Sequence, residues 1–156
     1  MTETTTDIKG VALGKSEALV QLVCFKLGEG EFGVDILKVR EIIRMMDITH
    51  VPDEPEYVEG VINLRGNVIP VVDLRKRFGM EGRTQDKHTR IIVMETDGTL
   101  TGFIVDAVSE VLRIPTSLTE PPPHIVAGVN AEYITAIGKL NDKLLTLLDI
   151  EKVLAN

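Results

Sequence analysis

The feature that most constrains this chain is that it repeats itself. Glu56-Tyr57-Val58-Glu59-Gly60-Val61 stands over Glu132-Tyr133-Ile134-Thr135-Ala136-Ile137 at an offset of 76 residues. The same offset places Leu64 over Leu140, Val71-Val72-Asp73-Leu74 over Leu147-Leu148-Asp149-Ile150, Lys76 over Lys152 and Phe78 over Leu154. A second block, 39–44 over 108–113, runs at an offset of 69, so a gap absorbs the difference between the two offsets. A unit of about 70 residues buries too little surface to be comfortable alone, and stacked copies gain stability by sharing a core. The expectation is a pair of small barrels packed on each other.

Within each half the signals are mostly those of strands. Short runs rich in β-branched residues lie between turn residues: 19–27 and 31–35 around Gly28-Glu29-Gly30, then 60–64, 68–72, 90–95, 100–105, 108–114 and 144–148. Ile36, Val39, Ile43 and Met46 fall at helical spacing, but Ile42 and Ile43 suit a strand equally. The second copy arbitrates, because 106–113 is short, β-branched and closed by Pro115. The reading is therefore a turn at 36–38 and a strand at 39–44. Segments 73–78 and 149–154 each begin with an acid able to cap free N–H groups and space apolar residues three or four apart, so both read as short helices. Residues 1–17, polar and without periodicity, read as a mobile tail, and 18–156 as the folded region.

Composition narrows the function classes. A net charge of -7 argues against nucleic acid as the main partner, since phosphate binding rests on a cationic surface. No apolar run approaches the roughly 20 residues that span a bilayer, so direct membrane insertion is not expected, and the polar start lacks the apolar core of a signal peptide. Cys24, the single cysteine, sits in the apolar run Leu22-Val23-Cys24-Phe25 and reads as a small buried hydrophobe; its solitude points to a reducing, cytoplasmic compartment.

Catalytic patterns are thin. His50, His88 and His124 are far apart and have no second ligand at metal-site spacing. There is no GxSxG elbow and no phosphate-binding glycine loop opening a helix. Asp73 and Asp149, imaginable as paired carboxylates, are better explained as equivalent helix caps. No enzyme activity, metal or cofactor is expected. What stands out instead is Arg65, a charged residue at the tip of an apparent tight hairpin between two apolar runs, where the second half carries Asn141. A long cation on a rigid turn suits a partner's carboxylate or carbonyls.

Three blocks carry a family resemblance: Gly60-Val61-Ile62-Asn63-Leu64-Arg65-Gly66 leading into Pro70-Val71-Val72-Asp73-Leu74-Arg75; the run 32–42, Phe-Gly-Val-Asp-Ile-Leu-Lys-Val-Arg-Glu-Ile; and Ile104-Val105-Asp106-Ala107-Val108-Ser109-Glu110-Val111-Leu112. From about Leu19 to the C-terminus the chain resembles the CheW family of chemotaxis coupling proteins and the homologous regulatory domain of the histidine kinase CheA. With no kinase or receiver segment, it looks like the adaptor. The resemblance implies a mainly β fold of two pseudo-symmetric, intertwined five-stranded SH3-like barrels. It also implies a scaffold that couples the cytoplasmic hairpin tip of a chemoreceptor to the CheA regulatory domain in a membrane-associated array, with further CheW copies in array rings as an open partner. Carried over by motif, the receptor-facing residues are Val39, Glu41, Gly60, Arg65 and Val111, with Ile36 and Leu64 as apolar neighbours. An adaptor of another chemosensory pathway shares these motifs. A small-ligand barrel would instead need a deep, polar-lined cavity.

Overall fold

The structure, a computed structural model, describes residues 18–126, 128–140 and 142–155. The tail expected over 1–17, and Asn141, lie outside the described residues. Seven strands come first: β1 (Leu19–Leu27), β2 (Gly30–Asp35), β3 (Val39–Arg44), β4 (Val58–Leu64), β5 (Asn67–Asp73), β6 (Arg90–Thr96) and β7 (Thr99–Val105). Six follow: β8 (Ala107–Pro115), β9 (Thr119–Glu120), β10 (Ile125–Val126), β11 (Val129–Asn130), β12 (Ile134–Leu140) and β13 (Lys143–Leu148). A 3-10 turn, Ile36–Lys38, separates β2 from β3, as expected from the repeat. The one-turn helices α1 (Leu74–Arg77) and α2 (Ile150–Leu154) start where the acids predicted them. Asp73 Oδ1 accepts from Arg75 N at 2.9 Å, and Asp149 Oδ1 from Lys152 N at 3.2 Å.

Two sheets form the two barrels. One runs β3-β6-β7-β5-β4, the other β8-β1-β2-β13-β12-β9. The repeat maps β3, β4 and β5 onto β8, β12 and β13, and the hairpin β1–β2 onto β6–β7, so the two strand orders are the same. Each barrel thus takes three strands from one half and a hairpin from the other. Both borrowed hairpins enter by a parallel pairing at equivalent places, Val71 beside Gly102 and Leu147 beside Gly33. The second barrel departs from five strands by adding the short β9, which pairs with Ile137 and Gly138. At the equivalent place the first barrel has one bridge, Thr49 to Val61. The longer connector of the second half supplies the extra strand.

The exchange explains where the core sits. The largest buried cluster draws on both halves, including Phe25, Phe32, Val72, Leu74, Phe103, Val105, Ile134, Leu148 and Ile150. Full burial of such a side chain contributes about 1.5–3 kcal/mol, so separating the halves would expose what stabilises each. Smaller clusters fill the barrels individually: Ile62, Ile69, Val71 and Ile91 in the first, Leu22, Cys24, Ile114 and Leu145 in the second. Polar contacts reinforce the joint. Arg77 lies over the rings of the equivalent residues Tyr57 and Tyr133, 4.7 and 4.9 Å from their centroids, and donates to the carbonyls of Val153 and Ala155.

Candidate protein-interaction site

The turn joining β4 to β5 places Arg65 and Gly66 at φ of 53° and 89°, both left-handed. Two central residues of that hand suit the twist of a two-residue hairpin, and the sequence usually chosen is Asn-Gly or Asp-Gly. The β6–β7 turn follows the rule with Asp97-Gly98, at 52° and 78°. In the β4–β5 turn the first left-handed position is held instead by an arginine, which has no local reason to be there. Asn63 steadies the turn, its Oδ1 accepting from Gly66 N at 2.8 Å.

The guanidinium does not reach into solvent as a free cation. It grips Glu41 of β3 in a two-pronged contact, Nη1 to Oε2 at 3.1 Å and Nη2 to Oε1. Arg65 and Glu41, both named from the resemblance, thus form one unit that ties the β4–β5 turn to β3. The hydrogen bond from Arg65 holds the Glu41 carboxyl below its ordinary range, and Glu41 raises the guanidinium in turn. Arg65 remains 68% exposed, and two of its five N–H donors are engaged, so the fork still presents donors outward.

Gly60 acts through its backbone, against the connector between β3 and β4. Its φ is 149°, and a Cβ there would stand 2.0 Å from the carbonyl oxygen of Thr49, which accepts from Val61 N at 2.9 Å. Any side chain would drive the connector between β3 and β4 off the barrel. Ile36 and Val39 are half-buried against the shared core, and Leu64 against the first-barrel cluster. Val111 is carried by the other sheet: it is exposed on β8, paired with Val23. The 69-residue offset puts it over Ile42, itself exposed on β3.

Sequence reasoning missed the apolar surface beyond these positions. Leu37, Val68 and Leu144 are exposed, and the 76-residue offset relates the last two, so the repeat held the signal. Beside Leu144 the second barrel forms a cleft of about 270 Å³ in which Leu112, Ile114, Leu140 and Leu145 are joined by the charged residues Glu31, Glu110, Arg113 and Lys143. Also missed was Asp106. This buried carboxylate receives Arg75 at 2.8 and 2.6 Å, Arg83 at 3.1 Å and the amide of Gly28 at 2.8 Å. Burial pushes its pKa up, but the hydrogen bonds from Arg75 and Gly28 and the charges of both arginines outweigh that and hold it below the usual value.

Cys24 is buried, and burial, aided by Glu110 and Glu31, pushes its thiol up to about 11, away from the reactive thiolate. Among the described residues no group of three or more His, Cys, Asp or Glu could hold a metal ion, and no helix is long and apolar enough to cross a membrane. A surface of this kind, with a charged turn, exposed apolar side chains and a cleft of mixed apolar and charged lining, suits protein recognition. The family model for the CheW-like domain matches residues 21–156. The chain belongs to the CheW-like domain family. It is 35% identical to the chemotaxis protein CheW of Klebsiella aerogenes, covering 98% of this chain and 89% of that one. Against CheW of Helicobacter pylori the identity is 37%, over 89% and 84% of the two chains. The crystal structure of the scaffolding protein TtCheW from Thermoanaerobacter tengcongensis superposes with a TM-score of 0.83 at 37% identity, covering 94% of this chain and 95% of that one.

Proposed function

We propose that this chain is a non-enzymatic adaptor that couples chemoreceptors to the histidine kinase CheA in chemotaxis signalling, at the cytoplasmic face of membrane-bound receptor arrays. The observation that carries the reading is the Arg65–Glu41 unit: an exposed arginine, in a backbone conformation it does not favour, locked to a neighbouring strand. Such a unit offers a partner fixed donors and acceptors without ordering them at the moment of binding. The receptor's helical hairpin tip takes this surface, with Ile36, Val39 and Leu64 as apolar neighbours, Gly60 as its backbone support and Val111 as the contribution of the second sheet. The exposed Val68 of the first barrel and the mixed apolar and charged cleft beside Leu144 in the second take the CheA regulatory domain and further CheW-like copies. The similarity to chemotaxis proteins and to a solved scaffolding protein supports the same reading.

The test separates folding from binding. Arg65→Ala should keep the thermal midpoint within about 2 °C, because truncating an exposed side chain changes stability little. Binding of a receptor hairpin fragment, followed by calorimetry, should weaken more than about tenfold, as expected when one partner of a charge-assisted interface contact is removed. Binding of the CheA regulatory domain should change far less. Receptor binding as tight as wild type would remove Arg65 from the receptor surface.

A further inference from the structure

The two halves meet at two seams that the repeat relates to each other. At both, the second residue of a short helix reaches the connector between a hairpin and the next strand. Arg75 of α1 meets Asp106, between β7 and β8. Glu151 of α2 meets Lys38, at the end of the 3-10 turn between β2 and β3, with Nζ and Oε2 2.6 Å apart. Glu151 stands under Arg75 at the 76-residue offset, and Asp106 stands under Leu37, next to Lys38, at the 69-residue offset. The polarity is therefore reversed between the seams.

Their surroundings differ as well. The Arg75 and Asp106 side chains are 14% and 9% exposed, and Asp106 gathers donors from three separate segments. Lys38 and Glu151 are 38% and 47% exposed. The 3-10 turn that Lys38 closes contains no fully buried residue, and its Ile36 packs only partway against the shared core, so apolar packing alone does not fix its position. Polar tethers do: Asp35 Oδ1 accepts from Leu37 N at 2.9 Å, Val39 N donates to the Ile36 carbonyl, and Arg40 reaches the Leu37 carbonyl at 3.3 Å. These are local. Lys38 to Glu151 joins residues 113 apart in the chain and connects the turn to the C-terminal helix.

We propose that the Lys38–Glu151 pair is a latch that positions the turn Ile36–Lys38 against α2, and through it the entry of β3, where Ile36, Val39 and Glu41 lie; its role in receptor binding rests on the function proposed above. The buried seam at Asp106 stays shut, while the exposed seam at Lys38 yields first. The two seams make the joint between the halves asymmetric, firm on one side and adjustable on the side that carries the receptor-facing turn.

A double-mutant cycle in the full chain tests the latch: Lys38→Met, Glu151→Gln and the pair combined, read by amide hydrogen exchange at Leu37 and Val39. Each single substitution should speed exchange at both amides about two- to fivefold, the range expected for an exposed ion pair. Combining them should add nothing, because the contact is already gone. Raising salt to about 0.5 M should speed exchange in the wild type and leave the variants unchanged. Unaltered rates in the single variants, or effects that multiply in the double, would overturn the latch. Receptor-fragment binding is measured on the same proteins beside Arg65→Ala. Binding that weakens in step with exchange supports the receptor role. If exchange shifts as expected while Lys38→Met binds receptor normally and Arg65→Ala does not, the latch holds and its receptor role fails. If none of the variants loses receptor binding, the receptor surface itself is misassigned while the exchange result still decides the latch.

Discussion

The two barrels share a strand order and differ at the points where the molecule meets others. Gly60, whose backbone lets the Thr49 carbonyl approach, corresponds to Ala136 in the second barrel. Both positions follow a bulge, between Val58 and Gly60 and between Ile134 and Ala136, so the bulge belongs to the fold and the glycine to the first barrel alone. Arg65 at the β4–β5 turn corresponds to Asn141, the residue type a left-handed turn favours. Common features between the halves therefore report what the barrel needs, and differences report what has been added to one of them. By that criterion the added elements in the first barrel are Gly60 on β4 and Arg65 on its turn, while Glu41 on β3, matched by Glu110 at the 69-residue offset, is common to both halves.

The largest expected effect comes from making the barrels alike at the glycine. Gly60→Ala should cost about 3 kcal/mol or more, because the obstacle is backbone and the conformation is strained for any side chain. At about 2–4 °C per kcal/mol for a chain of this size, the thermal midpoint should fall on the order of 6–12 °C. A midpoint close to wild type would show that the β3–β4 connector moves freely, and would break the claim that Gly60 is a backbone requirement.

Next in size is the buried seam. Asp106→Asn leaves Arg75 and Arg83 short of their carboxylate and should cost about 2 kcal/mol at neutral pH, less than a fully buried pair would. The folded pKa of Asp106 is depressed below 3.8, so its contribution is complete above that value and lost as pH falls through the folded pKa. The stability gap between wild type and Asp106→Asn, measured by urea unfolding, should thus be constant above about pH 5 and close below pH 3.8. A gap that persists unchanged into acid would mean the aspartate acts through shape and not charge.

The smallest effect on stability is expected where the effect on binding is large. Arg65→Asn gives the first turn the residue type of the second and should leave the thermal midpoint unchanged or slightly higher, while receptor-fragment binding weakens as in Arg65→Ala. A clear fall in the midpoint would show that the Arg65–Glu41 contact holds the barrel together and is not chiefly a recognition unit.

Much of this architecture was legible in local sequence. Turn chemistry located the β1–β2 and β6–β7 hairpins, Asp73 and Asp149 marked both helix starts, and the second copy decided that 39–44 is a strand. These succeed because capping, turn geometry and the two-residue period act over a few neighbours. The seven-residue difference between the repeat offsets announced a longer connector, though not that it would contribute β9 and the β10–β11 hairpin, with Val129 buried in the shared core. Side-chain partnerships were out of reach. Nothing near Glu41 in sequence indicates Arg65, and nothing near Asp106 indicates Arg75, Arg83 and the amide of Gly28 together.

By itself the sequence determined that there are two related halves, where most of their strands and both helices lie, and that one half carries a charged turn the other lacks. Only the tertiary structure decided that the hairpins are exchanged, so that β1–β2 completes the second barrel and β6–β7 the first. The reason is physical: two related hairpins present similar alternating faces, and either barrel's pattern accepts either one. The choice falls to distant terms, the shared core of Phe25, Phe32 and Phe103, the buried seam at Asp106 and the exposed one at Lys38, none of which leaves a periodic trace along the chain.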